Sequence, residues 1–230
     1  MKKNRNKVVA LVQARLGSTR LPNKMMLSLK GTPILQWVLH RLKKSTGIDE
    51  VVLATSTNEE NDLICDLANE LECPVYRGDE DDVLKRFYEA ALTHEASHIV
   101  RICADNPLVS PAAIDQLIEF YFKNQPCDYA YNHIPRNNQF PDGLGAEMIS
   151  VEILQTIHQL AKQKEEREHC FNYIVNRPEE FNISTFDPKE TWLKRPELKF
   201  DVDTFDDYYK LQRSEIDMDI EDKTLVDRFS

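Results

Sequence analysis

Short apolar runs alternate with amphipathic stretches along the first half of the chain. Four runs are continuous enough to be buried on both faces, as in parallel strands: residues 7–14, 51–56, 74–77 and 98–104. Apolar residues at helical spacing fall between and after them, in stretches that begin near residues 32, 63, 83 and 111. Strand and helix patterns alternating in this way predict an α/β fold, a doubly wound and mostly parallel sheet.

The rhythm changes after Cys127. Residues 128–132 and 145–150 are typical of strands, residues 133–142 of a polar loop, and Ser150 is placed to cap a helix over 151–164. A strand over 198–203 and a helix over 206–213 complete the pattern. Neither repeats nor a linker divide the sequence, so we expect one domain with two halves, 1–127 and 128–213. The acid-rich tail, 214–230, is expected to be partly disordered.

Charge is distributed unevenly over the 230 residues, whose formal net charge is −10. The first 48 residues contain 11 Lys and Arg and no Asp or Glu, which favours a local site for a polyanion. The acidic total argues against a nucleic-acid partner. The apolar runs are too short for membrane insertion or a signal peptide. The five Cys form no CxxC pair, so we expect reduced thiols and a cytoplasmic protein.

Candidate chemistry begins in the loop after the first strand, ARLGSTRLPNK, because doubly wound sheets bind ligands at strand carboxyl ends. Arg15, Arg20 and Lys24 supply positive charge, and arginine can bind phosphate oxygens in pairs. Gly17 permits close backbone approach, while Ser18 and Thr19 add hydroxyl and N–H donors. The loop matches neither GxxxxGK[ST] nor GxGxxG. A phosphate site and a merely solvated basic loop both fit this pattern.

A longer stretch, VVALVQARLGSTRLPNKMMLSLKGTPILQWVLHRL, resembles the opening of sugar-activating cytidylyltransferases. That family includes the 3-deoxy-manno-octulosonate and acylneuraminate (CMP-sugar) synthetases. The shared pattern is an apolar strand, then ARxxSTRLPxK, then GxP(I/L) beginning a helix. The resemblance implies that this loop binds a nucleoside triphosphate, chiefly through Arg15, Ser18, Arg20 and Lys24. Ala14, Gly17, Thr19 and Arg101 complete the expected nucleotide contacts.

Two acidic segments are the candidates for a metal site. Asp105 follows the fourth strand. An Asp at such a position commonly belongs to a turn or caps a helix. Its functional interpretation is a Mg²⁺ ligand beside phosphate groups. The family has GDxPL there, which ADNPL resembles, and its Asp binds metal. The segment DTFDD, which begins at Asp203, resembles the family's DTPED segment, with Phe205 in place of the proline. The resemblance implies Mg²⁺ on Asp105 and Asp203, with Asp201 in support.

The second half resembles a narrower branch, the SpsF-like proteins of spore-coat polysaccharide synthesis, in FPDGLGAEMIS and REHCFNYIVNRP. The resemblance makes Glu147, Arg167, Glu168 and His169 candidates for binding the sugar. A helix histidine and surface salt bridges are the ordinary alternatives. Two positions depart from the related patterns. Cys103 stands where the octulosonate enzymes have a Gln that helps to recognise cytosine, and Gly145 stands where the SpsF-like branch has an Asp.

These observations predict a Mg²⁺-dependent enzyme that transfers CMP from CTP to an acidic sugar and releases pyrophosphate. Arg15, Lys24 and Asp105 are the predicted catalytic residues. The first half would bind the nucleotide and the second half the sugar. A glycosyltransferase that uses a preformed nucleotide-sugar, and a non-catalytic family member, remain as alternatives. The resemblance also implies a homodimer formed through residues 129–163, and a role in surface polysaccharide, spore coat or another glycan.

Overall fold

The computed structural model describes residues 6–17 and 20–230, so the predictions for Ser18 and Thr19 lie outside the described residues. Its strands are β1 Val8–Gln13, β2 Ser28–Leu29, β3 Thr32–Pro33, β4 Glu50–Ser56, β5 Val75–Gly78, β6 His98–Cys103, β7 Tyr129–Tyr131, β8 Glu147–Ser150 and β9 Ile183–Ser184. Its α-helices are α1 Ile34–Leu42, α2 Asp62–Glu70, α3 Val83–Thr93, α4 Pro111–Lys123, α5 Val151–Leu160, α6 Lys164–Glu168, α7 Asn172–Val175, α8 Phe205–Arg213 and α9 Asp222–Phe229.

Seven strands form the central sheet in the order β5-β4-β1-β6-β8-β7-β9, and β2 and β3 form a separate hairpin. Strands β5, β4, β1 and β6 are parallel to one another. Strand β8 is antiparallel to both β6 and β7, and β9 is parallel to β7. The predicted mostly parallel α/β sheet is therefore confirmed, with an antiparallel strand inserted in its second half.

Strand β1 is apolar throughout because both of its faces are covered. Its residues alternate between two cores. Val8, Ala10 and Val12 join α1, α2 and α4 in one cluster, whereas Val9 and Leu11 join α3 and α5 in the other. Helices on both faces define the doubly wound arrangement, and they leave the strand ends as the open edges of the sheet.

Two predicted elements of the second half differ in extent or kind. The helix predicted over 151–164 ends at Leu160, and α6 begins separately at Lys164 with a capping box between Gln163 and Glu166. Residues 198–203, predicted as a strand, are extended but form only an isolated bridge, between Lys199 and Asp142. The backbone N–H of Val202 still donates to the carbonyl oxygen of Asp105 at 2.8 Å, which fixes the segment beside β6.

The prediction of a partly disordered tail was wrong. Residues 222–229 form α9, and its Leu225 and Val226 are completely buried in a third apolar cluster with the β2–β3 hairpin and α8. The buried guanidinium of Arg41 contacts the carbonyl oxygen of Ile220 at 3.0 Å and the carboxylate of Asp222 at 3.2 Å. These contacts attach the tail to α1. Among the helices of the described residues, none has the length and apolar character needed to cross a membrane.

Candidate active site

The candidate site lies at the carboxyl ends of β1 and β6, which are neighbours in the sheet. Gln13, the last residue of β1, pairs with Cys103, the last residue of β6. The loops that follow the two strands therefore lie side by side, as expected for a ligand site in a doubly wound sheet. A cleft of about 460 Å³ opens between them, lined by Gln13, Ala14, Arg15, Gly17, Arg20, Lys24, Met25, Arg101, Cys103, Ala104, Asp105, His169, Asp201 and Asp203.

The backbone of the basic loop is fixed from two sides. The N–H of Leu16 donates to Oδ1 of Asn61 at 2.9 Å, and the completely buried Asn61 side chain donates in turn to Oγ of Ser56 at 2.8 Å. Asn23, with φ of 56°, adopts the left-handed conformation that asparagine tolerates. This turn begins a 3-10 helix at Lys24, so that the lysine side chain points into the cleft.

The Lys24 ammonium links the two predicted metal-binding carboxylates. Its Nζ donates to Oδ2 of Asp105 at 2.7 Å and to Oδ1 of Asp203 at 3.3 Å. A third hydrogen bond, at 3.1 Å, goes to the carbonyl oxygen of Val202. The lysine is nearly buried, with 9% of its surface exposed. Three residues that are far apart in sequence thus form one compact charged group.

The two arginines of the loop are also paired with carboxylates. Arg20 is exposed and contacts Oδ1 of Asp203 at 3.0 Å. Arg15 contacts Oε1 of Glu80 at 3.2 Å and lies 4.0 Å from Oε1 of Glu168. The positive charges available for a polyanion are therefore balanced by protein carboxylates in this structure.

Two further aspartates lie near this charged group: Asp201, which lines the cleft, and Asp142, which interacts electrostatically with Asp201. Burial, followed by the negative charge of Asp201, raises the pKa of the Asp142 carboxyl to about 6. Burial also raises the pKa of Asp201, although the ammonium of Lys199 lies 3.3 Å from its Oδ2. Its other carboxylate oxygen, Oδ1, is buried and has no hydrogen-bond partner among the described residues. The lysines and arginines near the cleft therefore do not pair with every carboxylate oxygen that lines it.

Beside the cleft, a smaller pocket of about 190 Å³ is lined in part by Glu147. Glu147 is buried and accepts hydrogen bonds from the Arg101 guanidinium and the Tyr129 hydroxyl. Burial acts to raise its pKa, but the charges of Arg101 and His133 and the Tyr129 hydrogen bond outweigh burial, so the pKa of Glu147 is lowered. Glu147 is therefore a buried, ionised group in the wall of this pocket.

Arg101 and His169 line both the cleft and the pocket, so the two cavities are adjacent. Arg101 also donates to Oε1 of Gln13 at 2.9 Å, which connects the end of β1 to the pocket. Burial lowers the pKa of His133, whose Nδ1 is buried without a hydrogen-bond partner among the described residues. The arrangement provides a charged cleft for one ligand and a polar pocket for a second, smaller one.

The four predicted sugar-binding residues fall in different places. Glu147 and His169 line the pocket, and Glu168 lies beside Arg15. Arg167, however, is absent from the lining of both cavities, because its guanidinium forms paired hydrogen bonds with the carboxylate of Asp82, at 2.6–2.9 Å. Its position gives it a structural role between α6 and the start of α3, and its role in substrate binding stays a prediction.

The structure shows where both departures from the related patterns lie, and it gives a physical reason for the glycine at position 145. Cys103 lines the cleft, and burial raises its pKa to about 12, so it is a neutral thiol there. At Gly145, an added Cβ would lie 2.2 Å from the backbone oxygen of Asn132 and 2.3 Å from its side-chain oxygen. Asn132 is completely buried and bonded to the N–H of Ala146 at 2.9 Å. A side chain at position 145 would therefore require Asn132 to move.

Sequence reasoning missed several residues that build the site. Gln13 had a signal, since it is the first polar residue at the end of the apolar run of β1. No sequence pattern identifies the other four, because only the fold brings them to the loop or the pocket: Asn61, Glu80, Tyr129 and His133. They lie on other strands or loops, at distances in sequence that no local pattern connects.

The donor set at the mouth of the cleft fits a magnesium ion shared with a ligand. Asp105 and Asp203 offer carboxylate oxygens, the ligand type that Mg²⁺ prefers, and the orphaned Oδ1 of Asp201 lies on the same cleft. Within residues 6–17 and 20–230, no group of three His, Cys, Asp or Glu side chains is arranged to hold a metal alone. Phosphate oxygens would have to complete the coordination, as is usual for Mg²⁺.

Comparison with known proteins identifies the family of the chain. A family model described as cytidylyltransferase matches residues 9–225. An uncharacterized protein of Methanocaldococcus jannaschii is 38% identical over 210 residues, which are 90% of this chain and 84% of that protein. The spore coat polysaccharide biosynthesis protein SpsF of Bacillus subtilis is 30% identical over 212 residues, 90% of this chain and 85% of that protein.

Solved structures share the fold. A cytidylyltransferase from Leptospira borgpetersenii superposes with a TM-score of 0.88 at 28% identity, covering 97% of this chain and 93% of that chain. CMP:2-keto-3-deoxy-manno-octonic acid synthetase, solved with CTP, has a TM-score of 0.66 at 20% identity, covering 90% of this chain and 97% of that chain. The second likeness shows the fold alone.

The fold and the site together define a nucleotidyltransferase. The match over nearly the whole sequence then shows that the chain belongs to the cytidylyltransferase family. Both the predicted family and the narrower resemblance to SpsF are confirmed.

Proposed function

We propose that this protein transfers CMP from CTP to a hydroxyl group of an acidic sugar and releases pyrophosphate, in the synthesis of a surface polysaccharide or glycan. One observation carries the proposal. Lys24, Asp105 and Asp203 converge within hydrogen-bond distance at the open edge of the sheet, next to two arginines of the same loop. Such a group of charges suits a triphosphate and its counter-ion, and the neighbouring pocket suits a sugar.

In this reaction the sugar oxygen attacks the α-phosphorus of CTP in line, and the bond from that phosphorus to the bridging oxygen breaks. Pyrophosphate leaves with that oxygen, and the hydroxyl proton is lost to solvent. The protein's contribution is positioning and charge neutralisation. Arg15, Arg20 and Lys24 would contact the phosphates, exchanging their present carboxylate partners for phosphate oxygens. The pocket around Glu147 would orient the sugar through hydrogen bonds to its hydroxyl groups.

Asp105 and Asp203 would hold Mg²⁺ together with the phosphates, with Asp201 in support. When bound, the ion would neutralise negative charge on the reacting phosphate. The base specificity is a further part of the proposal. The family and the CTP complex of the octulosonate synthetase support CTP, and Gln13, Arg101 and Cys103, which line the cleft, are the side chains we propose for contacts with the base.

The glycosyltransferase alternative has little support. Asp201 and Asp203 both line the cleft, in the Asp-x-Asp form such enzymes use. However, Asp203 contacts the lysine and arginine of the triphosphate loop, and the family match is to cytidylyltransferases.

The homodimer is a separate part of the proposal. Within the predicted segment, residues 129–163, strands β7 and β8 are paired on both sides in the sheet. The surfaces of this segment that remain for a partner are the exposed face of α5, where Leu160 is about half exposed, and the exposed loop residues 135–137. Sedimentation equilibrium would measure the mass directly, and a monomer at micromolar concentration would contradict this part alone.

The test of the proposed function is pyrophosphate release with Mg²⁺, comparing CTP with ATP, GTP and UTP against a panel of acidic sugars. We expect release that depends on both CTP and one sugar, with a loss of about a hundredfold or more in Asp105→Asn, which removes a metal and lysine partner. Release with another nucleotide and not CTP would contradict the proposal. If no sugar in the panel reacts, tight binding of a nucleotide-sugar together with weak binding of CTP would contradict it equally.

A further inference from the structure

The Lys24 ammonium has an unusually complete set of partners. An ammonium has three N–H donors, and Nζ of Lys24 meets three acceptors, on Asp105, Val202 and Asp203, at 2.7, 3.1 and 3.3 Å. With 9% of the residue exposed, little of this group faces water. In this structure, therefore, all three N–H donors of the lysine are directed at acceptors of the protein itself.

The same two carboxylates are the proposed ligands of Mg²⁺. A divalent cation on Asp105 and Asp203 would lie within a few ångströms of the ammonium, and like charges at that separation repel strongly where water is scarce. The oxygens Oδ2 of Asp105 and Oδ1 of Asp203 also already accept the lysine's hydrogen bonds. The ammonium in its present position and a metal ion therefore compete for the same two carboxylates.

We propose that Lys24 is the resident counter-ion of Asp105 and Asp203, and that it keeps divalent cations out of the nucleotide-free site. When the nucleotide binds, its phosphates accept the ammonium, the two carboxylates are released, and the metal enters with the nucleotide. The inference rests on the proposed function. It adds an order of binding, nucleotide with metal and not metal alone, which does not follow from the identity of the ligands.

The transfer of the Lys24 ammonium from the carboxylates to the phosphates requires movement of the side chain only, because the surrounding backbone is fixed. The N–H of Asn23 donates to the carbonyl oxygen of Leu16 at 3.3 Å, and that of Lys24 to the carbonyl oxygen of Leu21 at 3.2 Å. The start of the turn is thus fixed, while the lysine stem has four carbons with free rotation. Arg20 does not compete for the role, because its exposed guanidinium contacts Asp203 and, within the described part of the chain, does not bond to Asp105.

The test measures Mn²⁺ binding by electron paramagnetic resonance, in wild-type protein and in Lys24→Met, first without nucleotide. We expect the variant to bind Mn²⁺ about tenfold more tightly or better, because a positive charge has been removed beside the ligands. With CTP present the wild type should bind Mn²⁺ tightly. Adding Asp105→Asn to Lys24→Met should abolish the gain, which would place the bound ion at this site.

Arg15→Met is the matched control. It removes one positive charge from the same loop, but Arg15 pairs with Glu80 and not with the two aspartates. Its Mn²⁺ affinity without nucleotide should stay within about twofold of wild type.

Because Lys24→Met leaves two partly buried carboxylates without their counter-ion, folding is checked by circular dichroism. Lys24→Gln, which keeps an amide donor, is the second variant. The wild type also gives an answer by itself, since Mn²⁺ alone should leave its melting temperature unchanged whereas Mn²⁺ with CTP should raise it.

Wild-type protein that binds Mn²⁺ without nucleotide as tightly as the lysine variants would overturn the inference and leave the proposed function intact. An equal rise in melting temperature with Mn²⁺ alone and with Mn²⁺ plus CTP would do the same. If Mn²⁺ binds neither protein even with CTP, the metal site of the proposed function fails, and the inference fails with it.

Discussion

Asn61 is the residue that holds the basic loop in place, although it contributes no charge to the cleft. Its buried amide connects the N–H of Leu16 to Oγ of Ser56, and so ties the start of the loop to the end of β4. A loop that must present three cations to one ligand depends on such an anchor, because misplacement by about an ångström weakens several contacts at once.

Asn61→Ala should therefore weaken both the fold and the site. The variant leaves the Leu16 N–H without its partner, and the free energy of unfolding should fall by about 1–3 kcal/mol. Urea denaturation measures that change, and calorimetry should show CTP affinity reduced by about threefold to tenfold. Asn69→Ala, on the exposed surface of the following helix α2, is the control and should change neither quantity. Unaltered stability in Asn61→Ala would show that the loop does not depend on this anchor.

At the same scale, sequence reasoning found the charged residues of the cleft but not their pairing. Arg15, Lys24 and Asp105 follow predicted strands closely enough for the strand ends to indicate a common site. Asp203 was found through resemblance to a motif. The pairing of Arg15 with Glu80 depends on side-chain conformations and on the path of a distant loop. Neither can be predicted from the residues that neighbour Arg15 in the sequence.

Among the elements, α6 is attached to helices α3 and α5 through Arg167. Its guanidinium contacts Asp82, the N-cap residue of α3, and also donates to the carbonyl oxygen of His158 at 2.8 Å. Asp82 itself accepts the N–H of Lys85 at 2.9 Å. One arginine thus joins the ends of α5 and α6 to the start of α3.

Arg167→Met should destabilise the protein without impairing sugar binding. Loss of the paired, partly buried contacts should lower the free energy of unfolding by about 1–3 kcal/mol, whereas the KM for the sugar should stay within about twofold. Urea denaturation and initial rates of pyrophosphate release measure the two effects. Lys164→Met, at an exposed position of the same helix, is the control. A large rise in KM with unchanged stability would instead restore Arg167 to the sugar site.

The elements that sequence predicts well are those buried on two faces. Strands β1, β4 and β6 are continuous apolar runs because helices cover both sides of them. Helix α9 was missed because the stretch that precedes it is acid-rich and, within the helix, only Leu225 and Val226 are deeply buried. Its stability comes from tertiary contacts, which Arg41 and the β2–β3 hairpin provide, and not from a strong periodic pattern.

For the molecule as a whole, alternation of strands and helices predicts the parallel half of the sheet but not the strand order of the remainder. Strand β8 lies between β6 and β7, so the chain returns to the sheet in the opposite direction. This insertion brings Glu147 opposite Arg101. The pocket beside the cleft therefore depends on the insertion of β8 between β6 and β7, which the sequence pattern does not predict.

The most direct test of the central claim, that this edge of the sheet binds CTP through a metal shared with Asp105 and Asp203, is calorimetric titration with CTP in the presence of Mg²⁺. It requires no knowledge of the sugar. We predict that wild-type protein binds CTP, and that EDTA or Asp203→Asn weakens binding by about tenfold or more. Asp206→Asn, an exposed aspartate in the same segment, should have no effect. Equal CTP affinity in wild type, Asp203→Asn and EDTA-treated protein would contradict the account.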